Sequence, residues 1–210
     1  YTEMVADMID HEDAEAHLQT VHENAEHAVD LTKVAREMAA VMLSAEQKLE
    51  PMSLQSVVRS EVEQAREAYP DANIISTSEM QRESVRANKM LGSVFRNLLK
   101  NAVQHNDKPE PTVAVSSKTE NGSVRVRVAD NGPGISDAAK EKIFDKGEKG
   151  LNSEGTGIGL YLVKSLVETY GGDVWIEDRI KDNIIDTETP ADTPSEGAVF
   201  VIELPTVQRD

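Results

Sequence analysis

Two asparagines lie one helical turn apart in the segment Asn97-Leu98-Leu99-Lys100-Asn101-Ala102. Residues four apart share one face of a helix. Asparagine is a poor helix former, so two of them on an otherwise apolar helix suggest a use. An amide oxygen is a hard ligand suited to Mg²⁺, and it leaves the charge of the ion free for phosphate groups. A pair of buried amides that bond neighbouring backbone explains this segment equally well when it is taken alone.

A second segment, Asp130-Asn131-Gly132-Pro133-Gly134-Ile135, directly follows an alternation of valine and arginine that is typical of a strand. Its two glycines flank a proline, so the backbone must turn sharply and a ligand can approach it closely. The carboxylate of Asp130 could accept a hydrogen bond from an exocyclic amine such as that of adenine. Taken alone, this segment is better interpreted as a turn that ends a strand.

A third segment, Gly155-Thr156-Gly157-Ile158-Gly159-Leu160, opens a predicted helix. Backbone N–H groups at a glycine-rich helix start can bind phosphate. The segment is not a Walker loop, because Thr156 stands where that loop needs lysine. It is not a dinucleotide fingerprint either, because that fingerprint needs a strand directly before it and residues 150–154 do not form one.

Between the second and third segments, a hydrophobic anchor precedes a basic stretch that contains two glycines, at residues 143–150. This pattern predicts a lid at about residues 145–155 that Phe144 fixes at one end. Lys146 or Lys149 would then reach anionic oxygens. For each lysine separately, a solvated loop is the better interpretation.

Hydrophobic periodicity predicts the elements that carry these segments. The predicted helices are residues 14–49, 53–69, 83–105, 136–144 and 159–170, and the predicted strands are residues 73–77, 112–116, 124–128, 173–177 and 198–204. Asn121-Gly122 is a hairpin turn signal, and Ser53 is a plausible N-cap. Residues 181–196 contain prolines, threonines and acids, and they are interpreted as a flexible insertion. The sequence therefore predicts an α+β domain with a mixed sheet at residues 51–210.

Residues 1–50 form a distinct region without glycine or proline. The helical spacing of their apolar residues predicts part of a helical hairpin. The apolar stripe of this hairpin consists of Leu18, Val21, Ala25, Ala28, Thr32, Ala35, Ala39 and Met42. A stripe this wide fits a four-helix bundle better than a two-stranded coiled coil. We therefore expect a second copy of the chain to complete the bundle as a homodimer. The alternative is a helix that packs on its own domain.

The charge balance excludes several classes of partner. The chain of 210 residues has 38 acids against 22 bases and a net charge of −16, which argues against nucleic acid and against direct contact with an anionic membrane. One hypothesis is adaptation to a salty cytoplasm, as in a halophile; the alternative is that the acidic residues serve only to keep the protein soluble.

The sequence contains no cysteine, which excludes thiolate metal sites. It also has no signal peptide pattern and no membrane-spanning run. Because it opens on Tyr1 and not on methionine, we expect it to be a piece of a longer protein. We expect this piece to be cytoplasmic, whether the parent protein is soluble or membrane-anchored.

The order of the four segments resembles the Bergerat ATP-binding fold, a two-layer α/β sandwich with a mixed sheet. DNA gyrase, a major heat-shock chaperone, mismatch-repair ATPases and sensor histidine kinases share this fold. The first segment looks like the N box of the kinases, the second like the G1 box, Phe144 like the F box, and the third like the G2 box. The resemblance covers roughly residues 51–205, and four motifs in order are strong evidence.

The resemblance implies a role for each matching residue. Asn101 would coordinate Mg²⁺ between the ATP phosphates with Asn97 beside it, and Asp130 would bind the adenine amine. His105 would lie near the base; the alternative is a surface histidine at the end of a helix. The implied nucleotide-binding residues are Asn97, Asn101, His105, Asp130, Gly132, Gly134, Lys146, Lys149, Gly155, Thr156, Gly157, Gly159 and Leu160.

Within the superfamily, gyrase and the chaperone carry a glutamate one turn before the Mg²⁺ asparagine, as general base for water. Here that position is Asn97, and an amide cannot take the proton from water. The sequence therefore resembles a sensor histidine kinase, which transfers the γ-phosphoryl group to a histidine and then to an aspartate of a response-regulator receiver domain. A gyrase-type ATP-hydrolysing clamp and a non-catalytic dimeric scaffold remain as alternatives.

The phosphoacceptor histidine is not identified in this sequence. His11 and His22 are each followed by an acid, but neither has the later residues of the kinase H box. We interpret the four N-terminal histidines as surface or interface residues, and we expect the acceptor to lie upstream of residue 1.

Overall fold

The computed structural model describes residues 48–76, 82–140, 142–145, 159–179 and 196–207, together with residues 17–22, 24, 25, 29, 32 and 39. The chain divides into two compact units, Tyr1–Ala40 and Val41–Asp210. Every described residue of the first unit is helical. The side chains of Val21 and Val29 in this unit are each 53% exposed. Most of the predicted hairpin and most of the predicted insertion lie outside the described residues.

The described part of the second unit contains seven strands and four helices. In chain order they are β1 (Glu50–Ser53), α1 (Leu54–Ala68), β2 (Asn73–Ser76), β3 (Ser84–Ala87), α2 (Leu91–Gln104), β4 (Thr112–Glu120), β5 (Ser123–Asp130), α3 (Asp137–Lys140), α4 (Gly159–Thr169), β6 (Asp173–Asp178) and β7 (Ala198–Pro205).

Five of the strands form one mixed sheet in the order β2-β4-β5-β7-β6. The edge strand β2 runs parallel to β4, and the other three pairs are antiparallel. Strands β1 and β3 form a separate antiparallel pair. An isolated bridge from Val85 to Thr206 links β3 to the residue that follows β7. This arrangement confirms the predicted mixed sheet.

Alternation along β5 shows how the sequence builds the core. Val124, Val126 and Val128 are fully buried, and they pack with the apolar faces of α1, α2 and α4 in one hydrophobic cluster. Arg125 and Arg127 point to the opposite face, because successive side chains of a strand alternate. Each fully buried valine contributes about 1.5–3 kcal/mol relative to an exposed one. Helices on one side of the sheet make the domain a two-layer sandwich.

Local signals fix the ends of several elements. The side chain of Ser53 caps α1 by accepting a hydrogen bond from the Ser56 N–H at 3.4 Å, as predicted, and the helix ends before Tyr69. Asn121 and Gly122 have positive φ angles of 51° and 80°, which is the geometry of a type I′ hairpin turn. This turn sets the register between β4 and β5.

The predicted helix at residues 83–105 is wrong in its first third. Residues Ser84–Ala87 form β3, and Val85 and Ala87 are buried as strand residues. The Asn88 side-chain oxygen accepts from the Met90 N–H at 2.9 Å, a local turn that competes with helix. The helix therefore begins only at Leu91.

Other boundaries differ by a few residues. Lys48 and Leu49 are not helical and Glu50 begins β1, so the predicted helix at residues 14–49 does not reach its predicted end and the strand was missed. The predicted helix at residues 136–144 is a single turn, Asp137–Lys140. The predicted strand at residues 112–116 extends to Glu120, because its outer half pairs with β5 across the hairpin.

Candidate functional site

Asp130 is the last residue of β5 and only 7% exposed. Its Oδ1 accepts hydrogen bonds from the Gly132 N–H at 2.9 Å and from the Ala198 N–H at 3.2 Å. Burial raises the pKa of this carboxyl, and the two hydrogen bonds and the charge of Arg179 oppose that rise. No hydrogen bond reaches Oδ2 within the described residues, so this oxygen remains to accept one from a ligand.

Hydrogen bonds connect the turn after Asp130 to the end of α2. The Asn131 side-chain oxygen accepts from the Asn106 side-chain amide and from the Thr112 N–H, each at 2.8 Å. Asn106 lies two residues beyond α2, so it connects this helix to the turn that contains Gly132 and Gly134. Sequence reasoning missed Asn106, because its partner lies 25 residues away and an asparagine after a helix has a sufficient local explanation as a cap.

Asn97 and Gly159 bring the first and third segments into contact. The Asn97 side-chain amide donates to the Ser93 carbonyl at 2.8 Å, which fixes its orientation on α2. A Cβ placed on Gly159 would lie 2.7 Å from Asn97 Oδ1. Any larger residue at position 159 would therefore require the Asn97 amide or the start of α4 to shift. Leu160 is half-buried and packs against the core.

Asn101 follows Asn97 by one turn of α2 and is half-buried. Its carboxamide makes no hydrogen bond within the described residues, so its oxygen is available to a metal ion. No group of three or more histidines or carboxylates that could hold a metal occurs in the described part of the chain. Mg²⁺ often takes only one or two protein ligands and completes its shell with phosphates and water, and Asn101 fits that requirement. His105 is exposed at the end of α2.

Phe144 is buried and meets Phe200 edge to face, with ring centroids 6.4 Å apart and an interplanar angle of 87°. This contact fixes the chain to the sheet just before the predicted lid. Five predicted site residues, Lys146, Lys149, Gly155, Thr156 and Gly157, lie outside the described residues, so their roles stay predictions.

The structure therefore combines a mixed sheet, helices on one face, a buried carboxylate at a strand end and two asparagines one turn apart on α2, the first of which lies against the start of α4. These features define an ATP-binding domain of the Bergerat class. A family model described as "Histidine kinase-, DNA gyrase B-, and HSP90-like ATPase" matches residues 87–208. The chain belongs to this family.

Individual relatives are named as sensor kinases. A probable C4-dicarboxylate sensor kinase of Halalkalibacterium halodurans is 28% identical over 160 residues, which cover 74% of this chain and 29% of that protein. The sensor histidine kinase AruS of Pseudomonas aeruginosa is 38% identical over 102 residues, which cover 45% of this chain and 10% of that protein. The chain thus spans less than a third of the length of either relative.

Solved structures agree with this assignment of the fold. The mycobacterial sensor histidine kinase MprB superposes with a TM-score of 0.62 at 25% identity, over 75% of this chain and 97% of that structure. Full-length ShkA in complex with AMPPNP superposes with a TM-score of 0.68 at 22% identity, over 95% of this chain and 40% of that structure. Among the helices that the structure describes, none is long and apolar enough to cross a lipid bilayer.

Proposed function

We propose that this chain is the catalytic domain of a sensor histidine kinase with part of its dimerisation hairpin, and that it presents Mg-ATP for transfer of the γ-phosphoryl group to a histidine. The chain would act in the cytoplasm as a fragment of a longer protein. The acceptor histidine would lie upstream of residue 1, and the phosphoryl group would pass from it to an aspartate of a response-regulator receiver domain.

The observation that carries this proposal is the position of the Asn97 amide, which lies on α2 and contacts the start of α4. Its nitrogen donates to Ser93 and its oxygen faces Gly159. Neither atom can remove a proton from water, so this position lacks the general base that a clamp-type ATPase uses. Phosphoryl transfer to another residue needs mainly positioning and charge neutralisation. An amide in this place favours the kinase over the ATP-hydrolysing clamp.

The roles proposed for the chain's own residues follow from their atoms. Asp130 Oδ2 accepts the hydrogen bond of the adenine amine, while Oδ1 holds the surrounding backbone. The Asn101 oxygen is one ligand of Mg²⁺, which neutralises the charge of the phosphates when it is bound. The N–H groups at the start of α4 face the phosphates, as helix N-termini do in many anion sites.

Dimerisation is part of the proposal because the N-terminal unit exposes apolar side chains. Val21 and Val29 are large apolar residues that are more than half exposed, and Val21 belongs to the apolar stripe. A second copy of the chain would cover this stripe in a four-helix bundle. ThkA, which shares the fold, has been solved in complex with the response regulator protein TrrA. That complex supports a receiver domain as the second partner.

The test is calorimetric titration of Mg-ATP into the wild-type chain and the variants Asp130→Ala and Asp130→Asn, with phosphate release followed in the same samples. The asparagine keeps an oxygen for the two backbone N–H groups and places an amide donor opposite the adenine amine. We expect wild-type binding with negligible phosphate release, and loss of binding in both variants. Titration in low and high KCl also measures whether the acidic surface needs salt.

The matched control is Asp178→Ala, because Asp178 also ends a strand but lies exposed and pairs with Lys140 at 2.6 Å. We expect it to bind Mg-ATP as the wild type does. Absence of wild-type binding in both salt conditions would leave only the dimeric scaffold. Steady phosphate release by the wild type would instead favour the ATP-hydrolysing clamp.

A further inference from the structure

Arg179 is a buried charge directly beyond strand β6, with only 8% of its surface exposed. Its guanidinium Nη1 donates to the Glu196 carbonyl at 3.0 Å, and its backbone N–H donates to the Gly197 carbonyl at 3.4 Å. These two contacts hold Arg179 beside the residues that lead into β7. Burying a charged side chain is unfavourable unless it interacts with other charges or dipoles.

Gly197 separates Arg179 from Asp130. Its φ angle is +138°, and a Cβ on it would lie 2.0 Å from the Asp130 carbonyl oxygen and 3.0 Å from Arg179 Cδ. The stem of Arg179 and the backbone of Asp130 thus approach the same side of Gly197. Only a glycine permits this approach, so the sequence brings the stem of a buried arginine close to the backbone of Asp130, the residue proposed to bind adenine.

We propose that Arg179 is a positioning residue for nucleotide recognition, whose buried positive charge keeps Asp130 ionised as the hydrogen-bond acceptor of the adenine amine. This inference rests on the proposed function. A protonated Asp130 would place a donor in a site where the adenine amine also donates. Arg179 does not touch the nucleotide in this arrangement and acts through Asp130.

The electrostatics around Asp130 support this role. Burial raises the pKa of Asp130, and the positive charge of Arg179 opposes the rise, because a nearby cation favours the charged form of a carboxyl. Arginine is suited to this position since it stays protonated at every relevant pH.

The other titratable groups that the structure describes around this site are His105, which is exposed at the end of α2 and is common to the wild type and every variant in the test, and the surface group of Lys108, Asp107 and Glu196. Among the described residues, Lys108 pairs with Glu196 at 2.7 Å and with Asp107 at 3.4 Å. Asn106 and Asn131 are neutral amides. Arg179 is the charged side chain whose interaction lowers the pKa of Asp130 against the effect of burial.

The test compares Mg-ATP affinity from pH 8.5 to pH 5 in Arg179→Gln, Arg179→Lys and the wild type. Glutamine removes the charge but keeps an amide donor for the Glu196 carbonyl. We expect the ratio of the Kd of Arg179→Gln to that of the wild type to be near one at pH 8.5 and to rise as the pH falls towards 5. Each unit by which the substitution raises the pKa of Asp130 allows the ratio to reach at most about tenfold, at pH values below that pKa. Using the ratio cancels the titration of ATP itself. Arg179→Lys should stay close to the wild type.

The matched control is Arg127→Gln, which removes an arginine from the same strand as Asp130 but from a surface pair with Glu177. Its Kd ratio should stay near one at every pH. A ratio for Arg179→Gln that is raised equally at all pH values would show a purely structural role and overturn the inference, and so would a ratio that never changes. Failure of the wild type to bind at pH 8.5 would instead refute the proposed function.

Discussion

The contact between Asn97 and Gly159 allows a sharp test of the site, because it joins two segments that lie about sixty residues apart along the chain. The change is Gly159→Ala, which adds one methyl group at the first residue of α4. The new Cβ would lie 2.7 Å from Asn97 Oδ1, whereas contacts of this type become ordinary only from 3.4 Å. Either the Asn97 side chain or the start of α4 must therefore shift by about 0.7 Å.

The size of the effect on stability and on binding follows from the shift that Asn97 must make. If Asn97 gives way by that amount, its 2.8 Å hydrogen bond to Ser93 lengthens to about 3.5 Å, beyond the effective range. Losing such a bond costs about 1 kcal/mol, while replacing glycine in a helix returns up to about 1 kcal/mol. The free energy of unfolding should thus change little. If Mg-ATP requires the native position of Asn97, the same cost of about 1 kcal/mol lowers the free energy of binding, and the Kd rises about fivefold.

The control is Gly92→Ala on the same helix. A Cβ on Gly92 would lie 2.5 Å from Glu61 Oε1, and Glu61 is a buried carboxylate that accepts two hydrogen bonds from Arg96, at 2.9 and 3.0 Å. Disturbing this pair costs about 1–3 kcal/mol, and replacing a helical glycine returns up to about 1 kcal/mol. The free energy of unfolding should therefore fall by up to about 2 kcal/mol, without a change in the Kd. Urea unfolding and calorimetric titration of both variants would measure the two effects separately.

We thus expect a weaker affinity with little change in stability for Gly159→Ala, and a lower stability with unchanged affinity for Gly92→Ala. An unchanged Kd in Gly159→Ala, with a fall in stability, would refute the placement of the nucleotide between Asn97 and the start of α4. An equal loss of affinity in both variants would mean that any disturbance of α2 weakens binding.

Two further predictions concern stability. Phe144→Ala should lower the free energy of unfolding by about 3–5 kcal/mol and the thermal midpoint by about 2–4 °C for each kcal/mol, because it empties a buried contact with Phe200; a shift of under 3 °C by calorimetry would contradict this. For Asp130, burial raises the folded-state pKa, so its contribution to stability is present at low pH and is lost as the pH rises through that pKa. The free energy of unfolding of Asp130→Asn, measured with urea, should therefore increase relative to that of the wild type from pH 3 to pH 7. A difference between the two proteins that stays constant over this pH range would contradict the prediction.

Local signals explain which parts of the fold could be predicted. The Ser53 cap and the Asn121-Gly122 turn act within four residues of the chain, and both were predicted correctly. Strand β3 was predicted as helix because its partners, β1 and Thr206, are remote in sequence. A single buried valine at residue 85 fits a helical stripe as well as a strand, so its periodicity could not decide between them.

The same distinction applies to the site. Asp130 stands in a recognisable sequence pattern, and the structure gives it the buried strand-end position that the pattern predicts. Asn106, Arg179 and Gly197 carry no such pattern. Asn106 contacts the turn across 25 residues of sequence. Arg179 contacts Glu196 across 17 residues, and Gly197 lies against the backbone of Asp130. Only the folded chain brings these residues together.

The meeting of Arg179 and Gly197 has a consequence for how this domain tolerates change in length. Strands β6 and β7 pair up to Asp178 and Ala198, and the next hydrogen bond joins the Arg179 N–H to the Gly197 carbonyl. The chain therefore leaves the sheet and returns to it at nearly the same point. The free energy of closing a loop grows only with the logarithm of its length. The sheet thus sets no length for the intervening residues, and this junction is a natural place to shorten the chain or to graft a reporter sequence while leaving both strands in register.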